Sequence, residues 1–242
     1  MLACLLIPIG TSTRTGLLCI GLVALLLLRE TKRKFVYLGA IVALGIVVTP
    51  FLPKSYIERM GTIGAYKADE SASTRVAVWA WTWEFAKHRP FGGGFEAYRQ
   101  NMVRYDIVRA GGDTDNQRID REVTTDRARA FHSAYFEMLG EQGYPGLALW
   151  LLLHLAGLVR MEVLRRRYRR DADTLWAGTL AGALQSAHLV YLLGAAFIGI
   201  AFQPFIYMLM GAEIGLDTYL ARKRRAASVA RPMPARMGLA TP

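Results

Sequence analysis

Cysteine is scarce in this chain, and the usual signatures of metal and nucleotide sites are missing. The 242 residues include two cysteines, Cys4 and Cys19, both in apolar stretches without a nearby set of ligands, so we expect them to pack as small hydrophobic side chains. Asp113 and Asp115 lack the glycine and glutamate that complete a calcium loop. The glycines at 92–94 are not followed by the Gly-Lys-Ser/Thr of a phosphate-binding loop. The sequence therefore predicts no metal site.

Acidic residues are also few, 19 against 30 basic ones, which gives a formal net charge of +11. Such a charge can indicate nucleic-acid binding. Here, however, many basic residues form short clusters directly after apolar segments, where membrane proteins carry their topology signals. The hydrophobic content of 53% is concentrated in long runs between these clusters. We therefore expect a polytopic protein whose partner is membrane lipid rather than nucleic acid.

Five apolar segments predict membrane helices, at roughly 15–28, 35–52, 144–159, 174–198 and 201–220. If they alternate, the basic clusters at 29–34, 160–170 and 222–225 share one side, which the positive-inside rule makes cytoplasmic. Arg14 and the long 53–143 segment then lie on the outer face. The start of the chain has neither the basic residues nor the cleavage pattern of a signal peptide and looks like the end of a longer helix. We therefore expect a truncated or fragmentary form.

The expected fold class is all-α, a polytopic membrane helix bundle of about five spans with a mostly helical outer-face (periplasmic) loop domain. The expected domains are membrane helices over 1–52, the loop domain over 53–142, three membrane helices over 143–221 and a basic cytoplasmic tail over 222–242. A loop of this length should hold helices of its own, and 73–88 is the best candidate. The polar, mixed-charge stretch 106–129 predicts a mobile flap.

Arg14, Arg75 and His132 come from distant segments but share the outer face in this topology. Two guanidiniums can hold a pyrophosphate through paired charge-assisted hydrogen bonds. A histidine beside them can take a proton from a hydroxyl near neutral pH. The residues alone leave a second interpretation open, in which the arginines meet lipid headgroups or solvent and the histidine is a polar residue at a helix start.

Four motifs resemble the C-terminal part of the O-antigen ligase and polymerase superfamily, in that family's order and spacing. They are Thr11-Ser-Thr-Arg-Thr-Gly16; Ser73-Thr-Arg75 with Trp79; His88-Arg-Pro-Phe-Gly-Gly-Gly94; and Phe131-His-Ser-Ala-Tyr135 with Glu141-Gln-Gly143 and Gly146. The stretch 132–151 is most similar to the O-glycosylation ligases associated with exosortase A systems. The resemblance extends from residue 1 to about residue 220.

The resemblance implies a glycan ligase of the bacterial inner (cytoplasmic) membrane with its active site on the periplasmic side. Arg14 and Arg75 would hold the diphosphate of a polyprenyl-diphosphate-linked glycan donor. His132 would activate or orient the acceptor hydroxyl, which belongs to a glycan, a lipid or a protein. No metal or other cofactor is implied, because two arginines can neutralise the leaving diphosphate.

Three further residues are candidate accessories. Arg127 and Arg129 would add positive field at the site, and Glu137 could orient His132. An ordinary solvated role is the alternative for each.

Two other functions remain open. A polysaccharide-repeat polymerase of the same superfamily is the nearest alternative. A transporter or non-catalytic membrane scaffold is the second, in which Glu213 and Asp217 of the last helix would matter instead.

Overall fold

The computed structural model of the chain describes residues 13–29, 31–48, 70–111 and 118–229. These residues form six α-helices, namely α1 Arg14–Leu28, α2 Lys34–Val48, α3 Glu70–His88, α4 Ala134–Tyr168, α5 Leu175–Ala195 and α6 Pro204–Val229. A short 3-10 helix, Ala97–Gln100, precedes an antiparallel pair of strands, β1 Met102–Gly111 and β2 Arg118–Arg127. The mostly helical class is thus confirmed.

Among these residues, α4 is the one helix that is both long and apolar enough to cross a membrane. The apolar α1 has 15 residues, about 22 Å at 1.5 Å per residue, which is short of a hydrocarbon layer of about 30 Å. One helix of this length and composition does not establish a membrane bundle, so the five spans and the domain boundaries stay predictions. Cys4, the helix end expected at 1–10, Asp113, Asp115 and residues 230–242 lie outside the described residues.

The hairpin corrects the predicted flap over 106–129 and the all-α class at this place. Met102 to Gly111 pair in antiparallel register with Arg127 to Arg118. Val103 and Tyr105 are buried on one side of β1, whereas Arg104 between them is exposed. This alternation is the period-two pattern of a half-buried strand. The high charge of the stretch hid it in the sequence.

The chain divides into two compact units, and the first comprises Met1–His154 with Ser186–Gln203. In this unit α3 packs against β1 around one buried core, whose members are Val78, Ala97, Val103, Tyr105 and Phe131. Inside the same unit, His154 and His188 are buried and lie 2.6 Å apart, Nδ1 to Nε2. They therefore satisfy each other through one ring nitrogen each, as expected of buried polar groups.

The triple-glycine loop docks on a break in α4. Gly143 interrupts the helix with a left-handed φ of 67°, and Gly92 has a φ of 82°. The next two amides of the loop donate hydrogen bonds of 2.9 and 3.0 Å to the carbonyl oxygens of Gly140 and Glu141. A Cβ added to Gly92 would overlap the carbonyl group of Glu141. Glycine is thus required here by close backbone approach.

The second unit comprises Leu155–Gln185 with Pro204–Pro242. Its core consists of Met161, Leu164, Tyr168, Ala177, Ala181, Leu216 and Leu220. Gly178 permits close packing of α5 on the end of α4, because a Cβ there would lie 3.0 Å from backbone atoms of Tyr168 and Arg169. A Cβ added at Gly211 or Gly215 would meet no atom of the described residues within 4 Å.

We expect Gly92→Ala to destabilise the protein more than Gly94→Ala. Gly94 has a φ of 81° like Gly92, but a Cβ there meets nothing within 4 Å in the described structure. Both variants should therefore lose about 1–2 kcal/mol to backbone strain. Gly92→Ala should lose roughly 1–3 kcal/mol more to overpacking. Thermal unfolding of the detergent-solubilised full chain measures this difference, and equal melting temperatures would contradict the docked geometry.

Candidate functional site

His132 stands in the short segment between β2 and α4 in a strained backbone conformation. Its φ is 51°, in the left-handed region that is uncommon for residues other than glycine. The residues on either side, Phe131 and Ser133, are 3% and 1% exposed, whereas the His132 side chain is exposed. Burial of both neighbours therefore holds the strained backbone and presents the imidazole at the surface.

Trp79 on α3 anchors this segment. Its indole Nε1 donates a hydrogen bond of 2.8 Å to the carbonyl oxygen of Phe131. Its ring stacks on Phe136, with 5.0 Å between the ring centroids. Arg75 precedes Trp79 by four residues and therefore shares its face of the helix. The spacing of the two residues thus brings the guanidinium to the same surface as the histidine segment.

The charges of Arg75 and Arg129 both act on His132. Surrounding protein atoms partly desolvate the imidazole, and this lowers its pKa from the ordinary value of 6.5; repulsion by Arg75 and then by Arg129 lowers the pKa further. An imidazolium is disfavoured beside two guanidiniums, so His132 is neutral near pH 7 and can accept a proton. The structure thus brings together two of the three predicted site residues and one predicted accessory.

Arg129 is held in place by its side chain and by its backbone. Its Nε donates to Asp126 Oδ2 at 2.8 Å, and the same oxygen accepts a 2.6 Å hydrogen bond from Tyr105. The hydrogen bonds from Tyr105 and Arg129 keep the pKa of Asp126 below its ordinary value. The buried amide of Asn101 binds the Arg129 carbonyl oxygen at 2.6 Å and its backbone N–H at 3.0 Å. Sequence reasoning missed this network, because only the hairpin brings its members together.

Arg14 is the first residue of α1 and is partly exposed. Further along α1, the Cys19 Sγ lies 3.9 Å from the Val190 carbonyl oxygen in α5. Tyr135, in the first turn of α4, donates a 3.0 Å hydrogen bond to the nearby Leu192 carbonyl oxygen. Thus α1 and the start of α4 contact the same turns of α5. That Arg14 joins the diphosphate site stays a prediction.

The other two accessory candidates, Glu137 and Arg127, have no described contact with His132. The Glu137 carboxylate accepts a 2.8 Å hydrogen bond from the Ala201 backbone, which ties α4 to the segment before α6. In the same way, the Glu141 carboxylate accepts a 2.9 Å bond from the backbone of Glu96. Arg127 is exposed at the end of β2. These contacts favour a structural role for Glu137 over orientation of His132.

No group of three or more histidine, cysteine, aspartate or glutamate side chains that could hold a metal ion occurs within the described ranges. His132 and the arginines near it offer a neutral base beside guanidinium donors. Such a surface can bind an anionic group and take a proton from a neighbouring hydroxyl.

Comparisons with known proteins bear on this site. The searches of curated proteins and of solved structures found no match. The family model described as O-antigen ligase matches residues 1–151, a range that contains Arg14, Arg75 and His132. This match covers more than half of the 242 residues. The chain therefore belongs to the O-antigen ligase family, a family of membrane proteins with glycosyl-transfer function of the ligase or polymerase type.

Proposed function

We propose that this protein transfers a saccharide from a polyprenyl-diphosphate donor to an acceptor hydroxyl at the outer face of the bacterial inner membrane. The observation that carries the proposal is the hydrogen bond from Trp79 to Phe131, which anchors the segment of the exposed His132 on the helix that carries Arg75. Arg129 lies in the same segment, three residues before the histidine. The two guanidiniums attract a diphosphate and keep the imidazole in its neutral, proton-accepting form. Family membership supports a lipid-linked glycan and an acceptor as partners.

In the proposed reaction, Arg75 and Arg14 bind the donor diphosphate through charge-assisted hydrogen bonds. The acceptor oxygen attacks the anomeric carbon while His132 takes the hydroxyl proton. The bond from the anomeric carbon to the diphosphate oxygen breaks, and the electron pair leaves with the diphosphate. The guanidiniums stabilise this developing charge, so the chain's own residues can supply the electrostatic part of catalysis.

Donor binding should strengthen the base in this arrangement. Without donor, Arg75 and Arg129 oppose protonation of His132. A bound diphosphate offsets their positive charge and therefore raises the pKa of the imidazole. The proton is then accepted more readily when the substrate is in place, and the imidazolium lies beside the diphosphate product, which can take the proton.

The transporter or scaffold alternative depended on Glu213 and Asp217. In the second unit, Arg160 Nη2 donates a 2.6 Å hydrogen bond to Asp217 Oδ1. An ion pair of this kind is a common structural role for an acid in an apolar helix. The ion pair therefore favours a structural role for Asp217 over proton coupling.

Replacing His132 by alanine should lower the transfer rate by roughly 10²- to 10⁴-fold, because a positioned general base contributes about that much. Arg75→Gln should lower kcat/KM by about tenfold to hundredfold through loss of a charged hydrogen bond. Arg104→Gln, which removes an exposed arginine from β1, is the matched control. The measurement is transfer of labelled glycan from lipid-linked donor in proteoliposomes containing the full chain. Undiminished transfer by stably expressed His132→Ala would rule out the mechanism.

The pH dependence of kcat/KM should change when the positive charge of Arg75 is removed. Because the neutral imidazole is the active form, kcat/KM should fall as pH decreases through a His132 pKa lying below 6.5. Arg75→Gln removes one repulsive charge, raises that pKa and moves the acidic limb to higher pH. Arg75→Lys keeps the charge but loses the bidentate guanidinium, so it should raise KM and leave the limb in place. Identical limbs in wild type and Arg75→Gln would contradict the assignment.

The reaction products separate ligase from polymerase. A ligase should add one donor glycan to a distinct acceptor, and direct attack should invert the anomeric configuration. A ladder of repeats formed from donor alone would instead show the polymerase. Gel analysis of product length and linkage analysis of the new bond measure both properties, and retention of configuration would contradict direct attack.

A further inference from the structure

The second unit contains a cavity of about 160 Å³ between the end of α4, the start of α5 and the last turns of α6. Its inner wall is apolar, since Ala177 and Leu220 are 0% and 2% exposed. Trp176 forms another wall and is half-exposed, and Lys223 and Arg224 complete the lining. The cavity is therefore apolar on its inner side, with two cations among its lining residues.

These two cations differ from three other basic residues of the same unit, which pair with acids. Arg160 pairs with Asp217, and both Arg165 and Arg166 pair with Glu162. Over the ranges that the structure describes, no carboxylate pairs with Lys223 or Arg224. Their positive charges are thus not neutralised by a neighbouring acid.

One hydrogen bond orients the guanidinium. Arg224 Nη1 donates to the Tyr168 hydroxyl at 2.7 Å. A guanidinium has five N–H donors, so most of them remain for a ligand. The lining of the cavity thus combines an oriented guanidinium with the ammonium group of Lys223. Both groups can bind a phosphate.

The aromatic residues beside the cavity indicate a membrane interface. Trp176 and Tyr219 form an edge-to-face pair with 5.9 Å between their ring centroids, and both are about half-exposed. Tryptophan and tyrosine concentrate at the boundary between hydrocarbon and headgroups. The basic clusters at 160–170 and 222–225 indicate that this boundary belongs to the cytoplasmic leaflet.

We propose that this cavity binds the headgroup of an anionic phospholipid from the cytoplasmic leaflet. The phosphate would contact Lys223 and Arg224, and the glycerol and first methylenes would pack against Leu220 and Trp176. The volume equals that of about five water molecules, which suits a phosphate with part of a glycerol. Basic pockets between helices on this side of a membrane are suited to anionic headgroups. The proposal does not depend on the chemistry at His132.

The test measures quenching of Trp176 by brominated lipids. The full chain in zwitterionic detergent is titrated with brominated phosphatidylglycerol or brominated phosphatidylcholine, and Trp176→Phe identifies the share of the signal that belongs to this one of five tryptophans. Phosphatidylglycerol should quench Trp176 at a lower mole fraction than phosphatidylcholine. Lys223→Gln and Arg224→Gln should each raise, by about fivefold, the mole fraction of phosphatidylglycerol at which quenching of Trp176 is half-complete. Quenching by phosphatidylcholine should not change.

Arg166→Gln is the matched control, because it removes one exposed charge that pairs with Glu162 and does not line the cavity. Its midpoint should stay within about twofold of wild type, since a paired surface charge contributes little. Equal quenching by the two lipids, or an equal loss in Arg166→Gln, would overturn the proposal. Displacement of phosphatidylglycerol by inorganic phosphate at similar concentration would overturn it in favour of a free-phosphate site. Arg224 also binds Tyr168, so Arg224→Gln can lower the melting temperature without lipid. In that case the result for Lys223→Gln, which replaces an exposed side chain, decides the test.

Discussion

The hydrogen bond from the Trp79 indole to the Phe131 carbonyl oxygen is the contact on which the candidate site depends. It joins α3 to the segment before α4 and fixes the backbone next to His132. Because a left-handed histidine is strained, its conformation persists only when neighbouring contacts hold it. Trp79 supplies one such contact, and the buried Phe131 and Ser133 supply others. The same helix face carries Arg75, so α3 both anchors the His132 segment and places a positive charge near it.

A site that gathers positive charge needs compensation within the fold. Arg129 meets this need through Asp126, which also accepts a hydrogen bond from Tyr105. The buried amide of Asn101 then binds the Arg129 backbone at both its N–H and its carbonyl. These contacts of the hairpin therefore hold Arg129 in place despite the other positive charges nearby. The remaining repulsion from Arg75 and Arg129 disfavours the protonated imidazole and lowers the pKa of His132. A diphosphate is the kind of ligand that relieves this repulsion.

Part of the geometry around the candidate site could be predicted because its spacing is local. Arg75 and Trp79 share a helix face through a separation of four residues, and Gly143, which breaks α4, belongs to one of the four family motifs. The hairpin could not be predicted with the same ease, because its alternation of buried and exposed residues was hidden by charge. The role of Glu137 also escaped, since its hydrogen-bond partner, Ala201, is 64 residues away.

The helices of the described chain, the basic clusters beside apolar segments and the family motifs that contain Arg14, Arg75 and His132 can all be recognised in the amino-acid sequence. These features follow from helix periodicity and from the free energy of transferring side chains between water and lipid, which act on neighbouring residues. Three features became visible only in the folded chain. Arg129 lies where its charge lowers the pKa of His132, Glu137 binds a backbone amide, and Lys223 and Arg224 line an apolar cavity. Arg129 is only three residues from His132, but its position depends on the more distant Asn101 and, through Asp126, on Tyr105. The other two features join segments that are far apart in the chain, and their meeting is set by packing rather than by spacing.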